Sequence, residues 1–259
     1  MAAIRFEHLN TRTFQEGKYD TAIVPVGSCE SHGDHMPFGT DALMSHEMAL
    51  AVGAKLSNAV VLPPTYFGYS HHYRHKPATI TISQDTNIRL IADILRSLAY
   101  WKFKHVLIVN GHDGNITAID VAARMVREEH PEMHIAALDA WWVTVANLIP
   151  EGTFEAWGGL GHGGEGETSL GLALIPQFMD MSNARGMVPE IDGNVKEFWD
   201  FSELTGYGAT GDPSKATLAK GELMRDALVN YLVDYMNRRR AAGWTYNPQS
   251  FGAPETPFS

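Results

Sequence analysis

The sequence is nearly free of cysteine, since Cys29 is the only one among 259 residues. A single cysteine excludes an intrachain disulfide, and with it the small secreted scaffolds that disulfides stabilise. We interpret Cys29 as a small buried residue, with a thiol nucleophile as the second interpretation.

Long apolar runs and basic charge are also scarce. No run of about 18 apolar residues could cross a bilayer, and residues 1–8 lack the apolar core of a signal peptide. We therefore expect a cytoplasmic protein. The chain has 20 Lys and Arg against 30 Asp and Glu, a net charge of −10. This balance disfavours nucleic-acid and membrane partners and favours a small-molecule substrate.

Repeats, low-complexity tracts and long flexible linkers are absent too. The length and apolar content suit one large domain, although two small domains remain possible. Short apolar runs at 22–26, 60–62, 106–109 and 134–138 alternate with helix-like periods, which is typical of a parallel sheet covered by helices. We predict a single-domain, three-layer α/β/α fold over 1–243 with about four mainly parallel strands. Residues 244–259 would form a C-terminal tail or intersubunit arm.

Acidic residues and histidines gather where the first predicted strand ends. Glu30 and His32 are two residues apart, so extended backbone would place both side chains on one face. The loop 33–39 would bring Asp41 back toward them. A carboxylate, an imidazole and a second carboxylate form half of a mixed nitrogen and oxygen metal shell. We favour His32 over His35 as the ligand, since His35 lies in the loop.

Two later stretches bring similar groups to the same predicted edge. His112 follows the strand 106–109, and ligands of open α/β sheets bind at such carboxyl ends. His162, Glu165 and Glu167 precede an apolar helical period. Each histidine alone is more often a packed residue, but the three stretches together predict a metal site.

The ligand types suit divalent Zn, Mn, Fe or Ni. Asp41 has two carboxylate oxygens and could bridge two ions. Two ions about 3.5–4 Å apart would polarise a carbonyl and lower the pKa of a shared water to about 7, which is hydrolase chemistry.

A polar and aromatic loop, residues 66–77, has neither helical nor strand periodicity and is a candidate substrate lid. His71, His72 and His75 could form a second metal shell, but the Arg and Lys among them favour substrate contacts. These basic groups would suit an anionic or phosphorylated substrate. The tryptophans, among them Trp157, would lie in the core or in the pocket wall.

Four stretches of the chain resemble the creatininase family of metal-dependent amidohydrolases. The resemblance covers nearly the whole chain, and its first stretch is the most specific. The stretches run from Pro25 to Asp41, Asn110 to Asn115, His162 to Ser169 and Gly211 to Gly221. The resemblance implies a creatininase-like fold with a four-stranded parallel sheet, two divalent metal ions per chain, and a homo-oligomer that is usually a hexamer.

The resemblance also implies roles for single residues. Glu30, His32, Asp41 and His112 would bind the metals, with Asp41 bridging them, and His162 would donate a proton to the leaving nitrogen. We add Glu165 as a second catalytic candidate. The residues expected to contact the substrate are His72, Tyr73, Arg74, His75, Asp113 and Trp157.

The sequence departs from the family pattern at three places. In creatinine hydrolases a glutamate two residues after the second stretch's histidine completes one metal shell, whereas this chain has Gly114 there. We expect Glu167 or water to supply that ligand. The loop after Ser70 does not have the pattern of many members, in which a histidine is followed shortly by Phe-Pro-Gly-Thr. Trp157 lies five rather than four residues before His162. Metal chemistry is therefore expected to carry over better than substrate.

We expect a metal-dependent hydrolase that cleaves a C–N amide bond, preferably a cyclic one, in a small polar molecule. One alternative is a relative acting on another substrate, such as a formamidopyrimidine deformylase or a cyclic-ketone (inosose) hydrolase. A second is a non-catalytic metal-binding protein in peptide-cofactor maturation. Every functional group of the stretch from Pro25 to Asp41 is retained, which disfavours this second alternative.

Overall fold

Four parallel strands form one sheet at the centre of the molecule. The structure is a computed structural model that describes residues 2–191, 195 and 197–245. The strand order is β2-β1-β3-β4. The strands are β1 (Thr21–Val26), β2 (Ala59–Val61), β3 (His105–Asn110) and β4 (His134–Leu138).

Helices cover both faces of the sheet. On one face lie α2, α5, α6 and α8, and on the other α3 and α4. No helix of the described residues is both long and apolar enough to span a bilayer. The helices are α1 (Thr11–Gly17), α2 (Thr40–Gly53), α3 (Gln84–Tyr100), α4 (Ile116–Glu129), α5 (Trp141–Ala146), α6 (Glu165–Leu174), α7 (Phe201–Leu204) and α8 (Leu218–Ala241).

Successive residues of the central strands point into two separate cores. Ile23 and Leu107 pack with α2 and α8, whereas Val24 and Ile108 pack with α3 and α4. Burial on both faces explains why β1 and β3 are continuous apolar runs. The predicted three-layer α/β/α fold with four parallel strands is confirmed.

The C-terminal helix begins later than the sequence predicts. In the sequence, Asp212 and Pro213 have the pattern of an N-cap and a first helical residue, which predicts that the helix begins there. Instead, Asp212 accepts a hydrogen bond from the Ser214 N–H and caps a short 3-10 turn, Pro213–Lys215. Ala216 is extended (ψ 140°), and α8 starts behind Thr217, whose side chain caps it. The Asp212 assignment was wrong because the extended residue separates the two helical segments.

Trp244 marks the end of the described chain. Its buried indole stacks 4.6 Å from the ring of His105 and 5.3 Å from that of His134. These histidines open β3 and β4, at the sheet edge opposite the predicted site. The predicted tail 244–259 lies outside the described residues beyond Thr245.

Candidate metal centre

The fold brings the five predicted ligands to the carboxyl edge of the sheet. Glu30 and His32 follow β1, and His112 follows β3. Asp41 lies in the first turn of α2 and Glu167 in that of α6. All five side chains are buried.

A close backbone approach sets the position of Asp41. A Cβ atom at Gly111 would lie 2.2 Å from the Asp41 carbonyl oxygen, so glycine is required there. The Asp41 carboxylate then lies between two imidazoles. Its Oδ1 is 2.9 Å from Nε2 of His32, and its Oδ2 is 3.2 Å from Nδ1 of His112.

Asp41 belongs to two groups of possible ligand atoms. Glu30 and His112 complete one group, and His32 and Glu167 complete the other. Within each group the ligand atoms lie within 4.8 Å of one another. One carboxylate shared between two groups of this size is an arrangement that can hold two ions.

The donor atoms of this cluster fit a bound metal. Both carboxylate oxygens of Glu30, Oδ2 of Asp41 and Nε2 of His32 lack a hydrogen bond of good geometry within the described residues. Buried carboxylates need compensating charge, because their desolvation costs on the order of several kcal/mol. Carboxylate oxygens together with imidazole nitrogens are ligands that divalent Zn, Mn and Fe accept.

Without an ion, protons on the imidazoles balance these carboxylates. Burial alone would lower the pKa of His32, but Asp41 and Glu167 outweigh it and raise that pKa to about 10. Burial opposes the shift of Glu30 as well, yet His112 holds the pKa of this carboxyl below its usual range. Burial raises the pKa of Glu167 to about 7. A metal ion must therefore displace protons when it binds.

His162 packs against the cluster from the loop that precedes α6. Its ring lies 4.0 Å from the ring of His32, and its Nδ1 is 3.6 Å from Oε1 of Glu30. Nε2 lies 2.6 Å from the carbonyl oxygen of Ser31, which can only accept, so Nε2 carries the proton. Burial and the charge of His32 lower the pKa of His162 to about 3. The ring is therefore neutral, and its Nδ1 is a hydrogen-bond acceptor.

Backbone fills the space at Gly114. A Cβ atom there would lie 2.0 Å from the Tyr69 carbonyl oxygen and 2.6 Å from Nε2 of His112. The same carbonyl oxygen accepts the Nε2 proton of His112 at 2.8 Å. Glu167 reaches the cluster from α6, with Oε1 3.7 Å from Nε2 of His32. The position of the missing glutamate is thus closed, and a different carboxylate lies beside the cluster.

Asn115 connects the loops that carry the ligands. Its Nδ2 donates to the Gly27 carbonyl oxygen at 3.0 Å. Its Oδ1 accepts from the Tyr69 N–H at 3.3 Å and from Nδ2 of Asn87 at 2.8 Å. This fully buried amide ties the end of β1, the loop at residue 69 and α3 to the start of α4.

Glu165 has other partners than the cluster. Its carboxylate accepts the N–H groups of Glu155 and Ala156, the latter at 2.7 Å, and lies 2.6 Å from Nζ of Lys220. These contacts hold the loop that leads to Trp157. They describe a structural anchor and lend no support to the catalytic role expected for Glu165.

Two residues close in sequence to the candidate ligands, His35 and Cys29, do not belong to the ligand groups. Nε2 of His35 forms a hydrogen bond with Oγ1 of Thr168 at 2.8 Å. This contact explains why His35 is not part of the ligand groups. Cys29 is half-buried rather than buried, and its backbone forms a β-bridge with that of Ile80. Burial raises the pKa of the Cys29 thiol, which disfavours the nucleophile interpretation.

The predicted substrate contacts divide into two sets. His72 and Tyr73 lie at the cluster: the His72 ring is parallel to that of His112 at 6.0 Å, and Tyr73 is 4.2 Å from His162. The other members are more exposed. Arg74, His75 and Asp113 lie at the surface, and Trp157 is half-buried with a positive φ of 44°.

Sequence reasoning missed Phe201. The sequence of the segment 176–211 predicts a loop without a functional motif, yet the Phe201 ring lies 3.9 Å from Tyr73 and 5.3 Å from His162. A signal was present, because Asp200 and Glu203 have the spacing of a capping box and form one at the start of α7.

A three-layer α/β/α fold with buried carboxylates and imidazoles at the carboxyl edge of its parallel sheet defines an α/β protein with a candidate metal centre. A family model described as creatininase, creatinine amidohydrolase, matches residues 7–236. The chain therefore belongs to the creatininase family and is a hydrolase of that family.

Two characterised relatives have different substrates. The mycofactocin precursor peptide peptidase of Mycolicibacterium smegmatis is 31% identical over 230 residues, which cover 83% of this chain and 84% of the relative. The creatinine amidohydrolase of Pseudomonas putida is 28% identical over 228 residues, which cover 82% and 86%.

Solved structures share the fold. A crystal structure of creatinine amidohydrolase superposes with a TM-score of 0.79 at 25% identity and covers 92% of this chain and 98% of that one. Two further creatininase structures are described as an Mn form and a Zn–Zn type. Divalent metal ions are thus associated with this fold and family.

Proposed function

We propose that this protein hydrolyses a C–N amide bond, preferably a cyclic one, in a small polar molecule, with two divalent ions at the cluster around Asp41. The single observation that carries the proposal is the Asp41 carboxylate, shared between two buried groups of ligand atoms. Zn, Mn and Fe all suit the donors. Glu30 and His112 would hold one ion and His32 and Glu167 the other, with Glu167 in place of the ligand missing at Gly114.

The bound ions supply Lewis-acid polarisation of the amide carbonyl and activation of water. His162 moves the protons. Its neutral Nδ1 would take a proton from the attacking water and then give that proton to the leaving nitrogen, so one ring acts as base and then as acid. The Ser31 carbonyl oxygen holds the opposite ring nitrogen and fixes this orientation. Glu165 and its partner Lys220 keep the adjoining loop in place.

A second candidate is cleavage of a peptide amide. The identity of 31% to the mycofactocin precursor peptide peptidase favours it. Both candidates use the same chemistry and differ in the size of the molecule that reaches the centre. We also propose that the protein acts in the cytoplasm as a homo-oligomer, on the basis of the family resemblance and the unpaired Cys29.

A substrate panel tests these proposals. Protein loaded separately with Mn, Zn or Fe is incubated with cyclic amides, formamides, cyclic ketones and short peptides, and its metal content is measured in parallel. We expect two ions per chain and turnover of a cyclic amide. Turnover of peptides alone would favour the second candidate. Turnover of a cyclic ketone alone, or of nothing in the panel, would contradict the amide proposal.

A further inference from the structure

Tyr73 is held rigidly beside the candidate metal centre. It ends a single 3-10 turn, His71–Tyr73, and only 1% of its surface is exposed. Its ring stacks 3.9 Å from that of Phe201 and lies 4.2 Å from that of His162. These two rings also contact each other at 5.3 Å, so Tyr73, Phe201 and His162 form one packed aromatic cluster that restricts the position of the phenol.

The Tyr73 hydroxyl has no hydrogen-bond partner among the described residues. Buried polar groups are almost always paired, because an unpaired one costs folding free energy. A phenylalanine would fill the same space between the two rings without that cost. The hydroxyl therefore calls for an explanation outside the packing of the chain.

The surroundings of this hydroxyl keep it protonated. Burial raises the pKa of Tyr73 well above its ordinary value, and the charges of Glu30, Glu167 and Asp41 raise it further. These three carboxylates are candidate metal ligands, and the Tyr73 ring lies 4.2 Å from that of His162, whose Nδ1 is 3.6 Å from Oε1 of Glu30. A protonated hydroxyl can donate a hydrogen bond there.

The loop that carries Tyr73 is fastened to the segment that carries Phe201. Nε2 of His75 lies 3.4 Å from Oδ2 of Asp200, and Nζ of Lys76 donates to the Thr205 carbonyl oxygen at 3.0 Å. Two polar contacts and one ring stack thus hold the phenol in place from outside. This arrangement suits a group that must be in position before a ligand arrives.

We propose that the Tyr73 hydroxyl donates a hydrogen bond to an oxygen of the bound substrate and orients the reacting amide against the metal centre. The inference rests on the proposed hydrolase function. It requires a substrate with an acceptor oxygen, such as a carbonyl or carboxylate oxygen, near the bond that is cleaved. Molecules without that oxygen would be poor substrates.

The test is the Tyr73→Phe variant of the metal-loaded protein. A missing transition-state donor should lower kcat/KM by about 100-fold, while metal content stays that of the wild type. The melting temperature should be equal or about 2–4 °C higher, because an unpaired buried hydroxyl is lost. Tyr207→Phe is the matched control, since Tyr207 is 52% exposed, and it should change none of these quantities.

Binding of acetohydroxamate, a small amide analogue with acceptor oxygens, separates this inference from the proposed function. Tyr73→Phe should weaken its binding at least about 10-fold in calorimetry. Weaker binding without any wild-type turnover would uphold the donor role and contradict the hydrolase proposal. Unchanged binding and kcat/KM would overturn the inference and leave the hydroxyl paired with buried water only. A parallel loss of metal would also overturn it.

Discussion

Oδ1 of Asp41 lies 2.9 Å from Nε2 of His32, two atoms that approach as closely as a hydrogen-bonded pair in a site sealed from water. The other oxygen of Asp41 approaches His112 in the same way. One carboxylate therefore contacts an imidazole of each group of candidate ligands.

Replacing Asp41 tests whether metal binding depends on this shared carboxylate. Asp41→Asn keeps the size of the side chain but removes the charge and one metal-binding oxygen, so we expect metal content to fall from two ions per chain to below one. Elemental analysis after dialysis measures it. Asp34→Asn, at an exposed position seven residues earlier, is the control. Normal metal content in Asp41→Asn would refute the bridging assignment.

His162 should be needed for proton transfer and dispensable for metal. We expect His162→Gln to retain both ions and to lose about 10²–10⁴-fold in kcat, the usual effect of removing a general acid or base. Steady-state kinetics and elemental analysis on the same sample measure both. The more exposed His130→Gln is the control. Unchanged turnover would exclude the role in proton transfer, and lost metal would make His162 a ligand.

Gly114 should tolerate no side chain. Gly114→Ala places a Cβ atom 2.0 Å from the Tyr69 carbonyl oxygen, so backbone must move. We expect a loss of about 1–3 kcal/mol in the free energy of unfolding, and weaker metal binding through His112. Gly206→Ala, where nothing lies within 4 Å, should stay within about 0.5 kcal/mol. Urea titration compares them, and equal midpoints would refute the close approach.

Lys220 should stabilise the fold through Glu165. Lys220→Met leaves a fully buried carboxylate without its cation, and we expect a loss of about 1–3 kcal/mol in the free energy of unfolding. Arg238→Met, which breaks an exposed pair with Asp234, should cost at most about 0.5 kcal/mol. Chemical unfolding measures both. Equal losses would show that the Glu165 anchor does not depend on Lys220.

His105 should make stability depend on pH away from the metal. Burial lowers the pKa of His105 below its unfolded value of about 6.5. The unfolded chain then binds the proton more strongly, so this contribution is complete above pH 6.5 and is lost as the pH falls through that value. We expect His105→Phe, which keeps a ring against Trp244, to lose less stability than the wild type between pH 7.5 and 5. Equal losses would contradict this, and His8→Phe, at an exposed position, is the control.

Local pattern was enough to predict the sheet. The apolar run at 106–109 corresponds to β3, because a strand buried on both faces carries its signal in consecutive residues. The run at 134–138 corresponds to β4, which is an edge strand and only partly buried. The apolar residues from Gln84 to Trp101 repeat with helical spacing, which predicts a helix there, and α3 spans Gln84–Tyr100.

Contacts between distant residues were beyond the reach of such patterns. The Lys220 partner of Glu165 is 55 positions away, so the spacing of Glu165 and Glu167 alone made both look like functional carboxylates. The Tyr69 carbonyl at Gly114 and the Phe201 ring on Tyr73 likewise come from tertiary packing. The candidate ligands could be proposed from sequence, whereas the groups that orient them could not.

The buried Asn115 amide gives the centre a property of its own. Because its hydrogen bonds fix the ends of β1 and the loop at residue 69, the spacing of the ligand-bearing loops is set by the fold and not by the ion. The candidate ligands therefore already have the spacing that an ion would contact. Little binding free energy would be lost to ordering of the chain. We therefore expect ions of different radius to be discriminated by strain in the shell, so that an amide that binds no metal contributes to metal selectivity.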